Sequence, residues 1–293
     1  MVSARMRRFV GRIANRPARL VSALVYLVLI AWAILSLFPL YWMVKNSFEP
    51  PLSMTIFPPK LLPVSPTLDN YIILLQRTPM ARWGFNSFFV TTVRTLGALF
   101  FGALAGYAFA KLRFFGREVI FWALMSTLMI PGFILIIPLY QVVKFLGWLD
   151  TYLALTIPGI TGGVWAMFLM RQFARTLPTE LIEAARMDGA SEFGIFRMII
   201  LPLMKPGLAV LGIFTFIGNW NSFFWPLVAT TSVSMRVLPV GLALIRGAGG
   251  EATILVQGQT MAGSTLMAVP MIIVFLAFQR YFVRGITIGA IKG

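Results

Sequence analysis

The chain has 293 residues, of which 59% are hydrophobic and 12% charged, with a formal net charge of +16. An ordinary soluble domain is roughly a quarter charged, so a water-soluble globule is excluded. The absence of Cys and His also excludes disulfides, thiol nucleophiles, His-based triads and Cys/His metal sites.

The apolar residues fall in blocks of about 20, the length that spans a bilayer core of roughly 30 Å. The first block covers residues 20–43 and follows a basic N-terminus, residues 1–19. It is too long for a signal-peptide core, and no small-residue cleavage site follows it. Residues 45–83 contain Pro50, Pro51, Pro58, Pro59, Pro63 and Pro66. Proline fixes φ and removes a donor, so an external loop is expected there instead of another helix. Further blocks cover residues 85–109, 119–142, 153–173, 207–229 and 261–282. Interior Gly and Pro are tolerated in membrane helices because neighbours re-satisfy the freed backbone groups. The expected fold class is an all-α membrane protein with six transmembrane helices over residues 20–282, then a tail, residues 283–293.

Basic residues set the orientation. With the N-terminus inside, the inner segments hold Arg5, Arg7, Arg8, Arg12, Arg16, Arg19, Lys111, Arg113, Arg117, Arg171, Arg175, Arg186, Arg197, Lys205, Arg280, Arg284 and Lys292. The outer segments hold only Lys45, Lys60, Arg77, Arg82, Lys144, Arg236 and Arg246. The bias predicts an N-in, C-in topology. Because the basic residues flank spans and form no stripe interleaved with exposed aromatics, the net charge does not point to nucleic acid.

The fourth connection, residues 174–205, differs from the others. Thr176 is placed to cap a helix with Pro178 and Glu180 in its first turn. Gly189 is placed to end it in the left-handed conformation, and Ser191 to cap a second helix. Residues 174–198 carry Arg175, Arg186 and Arg197 against Glu180, Glu183, Asp188 and Glu192, an acidic balance on a basic face. Two short helices with a sharp bend make a docking knob, with Ala184 and Ala185 keeping the first slim and Glu183 and Asp188 offering charge. The alternative is an amphipathic helix lying on the membrane surface.

Glu183-Ala184-Ala185, Gly189, and then Ile199, Leu201 and Pro202 resemble, at both internal spacings, the EAA signature of bacterial ABC importer permeases. Asn86-Ser87, Gly106 to Lys111, Phe115-Gly116-Arg117, Pro138-Leu139-Tyr140, Gly147 to Tyr152, Asn219-Trp220-Asn221, Trp225-Pro226-Leu227 and the tail Gly285 to Gly293 extend the likeness. They are similar to the carbohydrate-importer branch of the smaller maltose-permease (MalG-like) type. The resemblance implies a type I permease fold whose EAA loop is a coupling helix seated in an ATPase subunit. It also implies a second homologous permease, two ATPase subunits and an extracytoplasmic sugar-binding protein, in the bacterial inner membrane. The chain has no Gly-x-x-x-x-Gly-Lys-Ser/Thr phosphate loop. No cofactor is therefore expected on it, and ATP and Mg belong to the partner ATPases. It is expected to be a transport subunit and not an enzyme, with no catalytic residues and no metal site.

Three further groups carry weaker expectations. Arg94 lies inside a span, where an ionisable group faces a cavity or partner; it borders the translocation path or pairs helices. Asn219 and Asn221 suit a passing polyol or interhelical hydrogen bonds. Gly247, Gly249, Gly250 and Glu251 form an external stretch that in similar permeases enters the binding protein's cleft, or is a plain connector. The aromatic residues are assigned to membrane interfaces and helix packing, not to substrate. An intramembrane enzyme would need catalytic residues that nine acids without His or Cys do not supply. A channel or secondary transporter would need no docking loop, and inverted repeats are not evident. A glycerol-phosphate or other small-solute permease remains the alternative within the importer class.

Overall fold

A computed structural model describes the backbone of residues 4–161, 163–247 and 253–290, and every described element is helical. In chain order these are α1 (Ala4–Ser47), α2 (Asp69–Arg77), α3 (Met80–Lys111), α4 (Arg117–Thr127), α5 (Ile136–Phe145), α6 (Tyr152–Thr161) and α7 (Val164–Arg175). They continue as α8 (Glu180–Met187), α9 (Glu192–Ile195), α10 (Leu201–Leu203), α11 (Lys205–Trp220), α12 (Phe224–Ala229), α13 (Leu238–Gly247) and α14 (Thr253–Ala290). Four of the described stretches are long and apolar enough to cross a membrane: Val21–Ser47, Met80–Lys111, Tyr152–Arg175 and Val256–Gln279. A fifth arises if the bent pair Glu192–Leu203 and Lys205–Trp220 is taken as one span.

Two apolar blocks that read as single spans are interrupted. The block at 119–142 divides into α4 and α5 around Pro131-Gly132, because proline supplies no amide to the helical ladder. The block at 207–229 ends α11 at Trp220 before α12 begins. The proline-rich stretch expected to be loop contains α2, whose Asp69 and Arg77 complement its dipole at opposite ends.

The chain forms two compact units, Met1–Ile72 with Glu251–Thr265, and Ile73–Gly250 with Leu266–Gly293. In the first, a buried polar cluster closes the C-terminal end of α1. Lys45 and Glu49 pair one helical turn apart, both side chains nearly inaccessible, and Lys45 also donates to Asn46 Oδ1 at 3.2 Å. Asn70 Nδ2 donates to the carbonyls of Ser47 and Glu49 at 3.0 and 2.8 Å, and the Val64 amide donates to Glu49 Oε1 at 3.1 Å. Charges buried this well survive only when every polar atom is matched.

In the second unit α3 is the hub, packed by α6, α7, α11 and α13. Its small residues set the spacing. A Cβ added at Gly106 would lie 2.6 Å from Met170 Cβ and 2.8 Å from the Arg171 amide nitrogen, and one at Gly102 would lie 2.8 Å from Ala166 Cβ. With little apolar driving force between helices in lipid, such close backbone approach supplies the packing attraction. Arg171 then ties α7 to two neighbours. Its guanidinium stacks 3.6 Å over the Phe121 ring, Nε donates to Phe109 O at 3.2 Å, and Nη2 reaches Glu118.

Candidate functional site

The loop between α7 and α11 has a specific local geometry. Thr176 closes the C-terminus of α7, its hydroxyl donating to Phe173 O at 2.7 Å, and α8 begins three residues later than its spacing suggested, with Thr179 as the flanking residue. Gly189 has φ +80°, a conformation that costs other L-residues roughly 1–2 kcal/mol. It completes a Schellman ending: the Gly189 amide donates to Arg186 O and the Ala190 amide to Ala185 O, both at 3.0 Å. Ser191 is extended, and its hydroxyl accepts from the Gly194 amide at 3.2 Å, starting α9. The helix continues through a wider turn over Phe196–Ile200 into α10, then bends by 77° against α11.

The knob has two faces. Ile182 and Ala185, one turn apart, are buried with Ile195, Phe196, Ile200 and Met204 against Tyr107, Met170 and Ala174. Glu183, Ala184, Met187, Asp188 and Gly189 are exposed, and Met187 is 89% exposed. Ala185 therefore faces the molecule, and Ala184 alone of the pair keeps the outward face slim. Ile199 and Leu201 pack partly buried against the same core, and Pro202 is exposed.

Polar contacts brace the bend. Arg186 Nε donates to Glu192 Oε1 at 2.7 Å across the turn, and this holds the Arg186 guanidinium above its ordinary pKa. Tyr107 Oη donates to Glu192 Oε2 at 2.9 Å, and Lys111 Nζ donates to Leu177 O at 2.6 Å and to Thr179 Oγ1 at 3.0 Å. Tyr107 and Lys111 belong to the span α3, so the bend is anchored to the membrane body. Their distance in sequence hid them, although both lie in the Gly106 to Lys111 motif.

A second polar cluster explains other motif residues. Gly147 and Asp150 both have positive φ, 69° and 59°, which brings the Asp150 carboxylate under the amides of Thr231 and Ser232 at 2.9 and 3.0 Å. Burial works to raise the Asp150 carboxyl, but hydrogen bonds from Ser232 and Thr231 outweigh it and hold the group below its ordinary value. Asn86 Nδ2 donates to Ser234 O and Arg236 O at 2.8 Å each while Tyr152 Oη donates to Asn86 Oδ1 at 2.6 Å, and the Leu238 amide donates to Ser87 Oγ.

The remaining candidates are not brought together into one site. Arg94 is half-buried beside Gly159, where a Cβ would fall 1.8 Å from Arg94 Nε. Its Nε and Nη1 find no hydrogen-bond partner among the described residues. Asn221 flanks the end of α11 and donates to Ile217 O at 3.0 Å; Asn219 lies in the last turn of α11. Gly247 ends α13, while Gly249, Gly250 and Glu251 lie outside the described residues. A cavity of about 320 Å³ beside α3, lined by Ala98, Phe101, Ala105, Leu124 and Met167, is apolar and unsuited to a polyol. Among the described residues no cluster of acidic side chains could hold a metal ion.

Residues 98–288 match the model of the family described as binding-protein-dependent transport system inner membrane component. The chain belongs to this family. It is a permease subunit of an ABC importer, a transport component and not itself an enzyme. The permease is 40% identical over 269 residues to the arabinooligosaccharides transport system permease protein AraQ of Halalkalibacterium halodurans, covering 89% of this chain and 93% of that one. It is 35% identical to the trehalose/maltose transport system permease protein MalG of Thermococcus litoralis (90% and 94% covered). It is 41% identical over 202 residues to the sn-glycerol-3-phosphate transport system permease protein UgpE of Yersinia enterocolitica (69% and 71%). A crystal structure of a bacterial ABC transporter that imports the acidic polysaccharide alginate matches with a TM-score of 0.80 at 25% identity, over 91% of this chain and 98% of that chain.

Proposed function

We propose that the permease forms one half of a heterodimeric pore, with six spans in an N-in, C-in arrangement, that carries a mono- or oligosaccharide or related polyol into the cell. Two separate ATPase subunits bind ATP and Mg, and an external binding protein delivers the sugar. The setting is the bacterial inner membrane. Movement is alternating access: closure of the ATPase pair drives the knob at residues 180–203, and the pore halves rock with it. The basic residues concentrated in the inner segments support the orientation, and the sugar permeases among its relatives support the substrate class.

The observation that carries the reading is the knob's two-faced construction. Its outer face offers Glu183, Ala184, Asp188 and Gly189 to a partner, while its inner face is continuous with the core of α3 and α7. A load on the outside is thus transmitted through close-packed side chains to spans. Glu183 contributes charge toward the ATPase groove, and Gly189 the bend. Ile199, Leu201 and Pro202 carry the load toward α11.

Because the chain lacks cysteine, a Met187→Cys variant offers a single thiol at the exposed tip. The importer, purified in mild detergent, should crosslink through this thiol to an ATPase subunit, with a yield that changes on ATP addition. Absence of any crosslink to an ATPase subunit would overturn the assignment of the knob.

A further inference from the structure

The segment between α1 and α2 is an exposed apolar loop of unusual composition. From Pro50 to Leu68 the only charged residue is Lys60. Leu52, Phe57, Leu61, Leu62, Val64 and Leu68 are all exposed, Phe57 at 90%. An apolar surface on a connection, where polar residues are the rule, marks an interaction site.

The course of the loop says what covers it. The chain leaves α1 at Ser47, passes through a tight 3₁₀ turn at Pro51–Thr55, and then folds back along the helix it has left. Tyr41, in the last two turns of α1, donates a hydrogen bond to Leu61 O. Val64 then returns to Glu49, and the Thr67 amide donates to Phe48 O at 2.8 Å. Leu61 is thereby held beside Tyr41, on a helix whose side chains from Val21 to Tyr41 are exposed and almost all apolar, as lipid contact requires. Through the Tyr41–Leu61 contact the loop's apolar surface meets that exposed apolar surface of α1. Of the acids that flank the loop, Glu49 is fully buried and paired with Lys45, and Asp69, at the start of α2 beyond the apolar stretch, is exposed. Lys60 can lay its stem on the apolar surface and extend its ammonium to phosphates.

We propose that residues 51–68 form a membrane-interfacial anchor whose partner is the leaflet at the C-terminal end of α1. The buried Lys45–Glu49 and Asn70 cluster holds this loop in the folded-back shape, and Phe57, Leu61 and Leu62 enter the headgroup and upper acyl region. The anchor requires only that α1 spans, and holds for either orientation of the chain.

The cysteine-free sequence permits a direct test. Nitroxide labels are placed on Phe57→Cys and Leu62→Cys variants of the full chain, with whatever subunits co-purify, in lipid nanodiscs; Leu35→Cys in α1 is the lipid reference. Collision with oxygen should exceed collision with a water-soluble nickel chelate at 57 and 62, several-fold above a label in buffer and toward the value at 35. Preferential collision with the nickel chelate would show that the loop projects into water, and would overturn the proposal. Protection from both reagents would mean that protein covers the loop, and would equally overturn it.

Discussion

Substituting Gly189 isolates the bend from everything around it. A Cβ at this position meets nothing within 4 Å, so the cost of a β-carbon here is conformational and not steric. Holding φ near +80° costs an L-residue roughly 1–2 kcal/mol, and more for a β-branched one. That amounts to about a 5- to 30-fold loss in the population of the bent form. The two Schellman hydrogen bonds, from Gly189 to Arg186 and from Ala190 to Ala185, are lost with it, and α9 no longer starts at Ser191. Membrane insertion should be spared, because the spans do not depend on this turn. In proteoliposomes containing the assembled importer, Gly189→Val is expected to lower coupled transport by about the same factor. Gly189→Asn, a residue that adopts the left-handed region readily, should restore most of it. Transport by Gly189→Val at the unsubstituted rate would refute the conformational argument. Asparagine as defective as valine would show that the groove cannot accept any side chain, which is a different cause.

Other outcomes follow from the same geometry. Glu49→Ala leaves Lys45 buried without its partner and should destabilise the fold by about 3–5 kcal/mol, seen as a lowered thermal midpoint in detergent. Gly106→Val drives a side chain into the Met170 and Arg171 backbone and should cost roughly 1–3 kcal/mol, with reduced yield of folded protein. Tyr107→Phe removes the hydroxyl donor to Glu192 and should weaken coupled transport with only about 1 kcal/mol of lost stability. The Asp150 carboxyl is held below its ordinary 3.8 in the folded chain. Its stabilisation is therefore present above that unfolded value and lost as pH falls through the lower folded one. The stability difference between the unsubstituted protein and Asp150→Asn should accordingly be constant at neutral pH and shrink below about 4. A difference that grows on acidification would contradict the assignment.

Hydropathy made the apolar blocks visible, yet it measures the length of an apolar run and is blind to continuity of the hydrogen-bond ladder. The interruptions at Pro131-Gly132 and after Trp220 are local backbone events inside uniformly apolar sequence, so α4, α5, α11 and α12 read as two longer elements. The helix α2 was hidden for the opposite reason: six prolines in its neighbourhood dominated the reading, although none lies within Asp69–Arg77. The loop between α7 and α11 was legible because caps are local. Gly189 and Ser191 act on residues within one turn, and both take the conformations their positions implied. Thr176 and Thr179 compete for one helix start in sequence, and only the end of α7 decides between them. The braces from Tyr107 and Lys111 lie 85 and 66 residues from their partners Glu192 and Leu177, beyond the reach of any local rule. The same holds for Asn86 beneath the loop at Ser234, 148 residues away.

The central claim is that the exposed face of the knob receives force from an ATPase subunit. Its most direct test is co-purification of the tagged chain in mild detergent from its native membrane, alongside Glu183→Lys and Gly189→Val. The account predicts recovery of a second permease and an ATPase with the unsubstituted chain, and loss of the ATPase alone in both variants. A lone, monodisperse chain that transports without ATP, or full ATPase recovery with both variants, would contradict it.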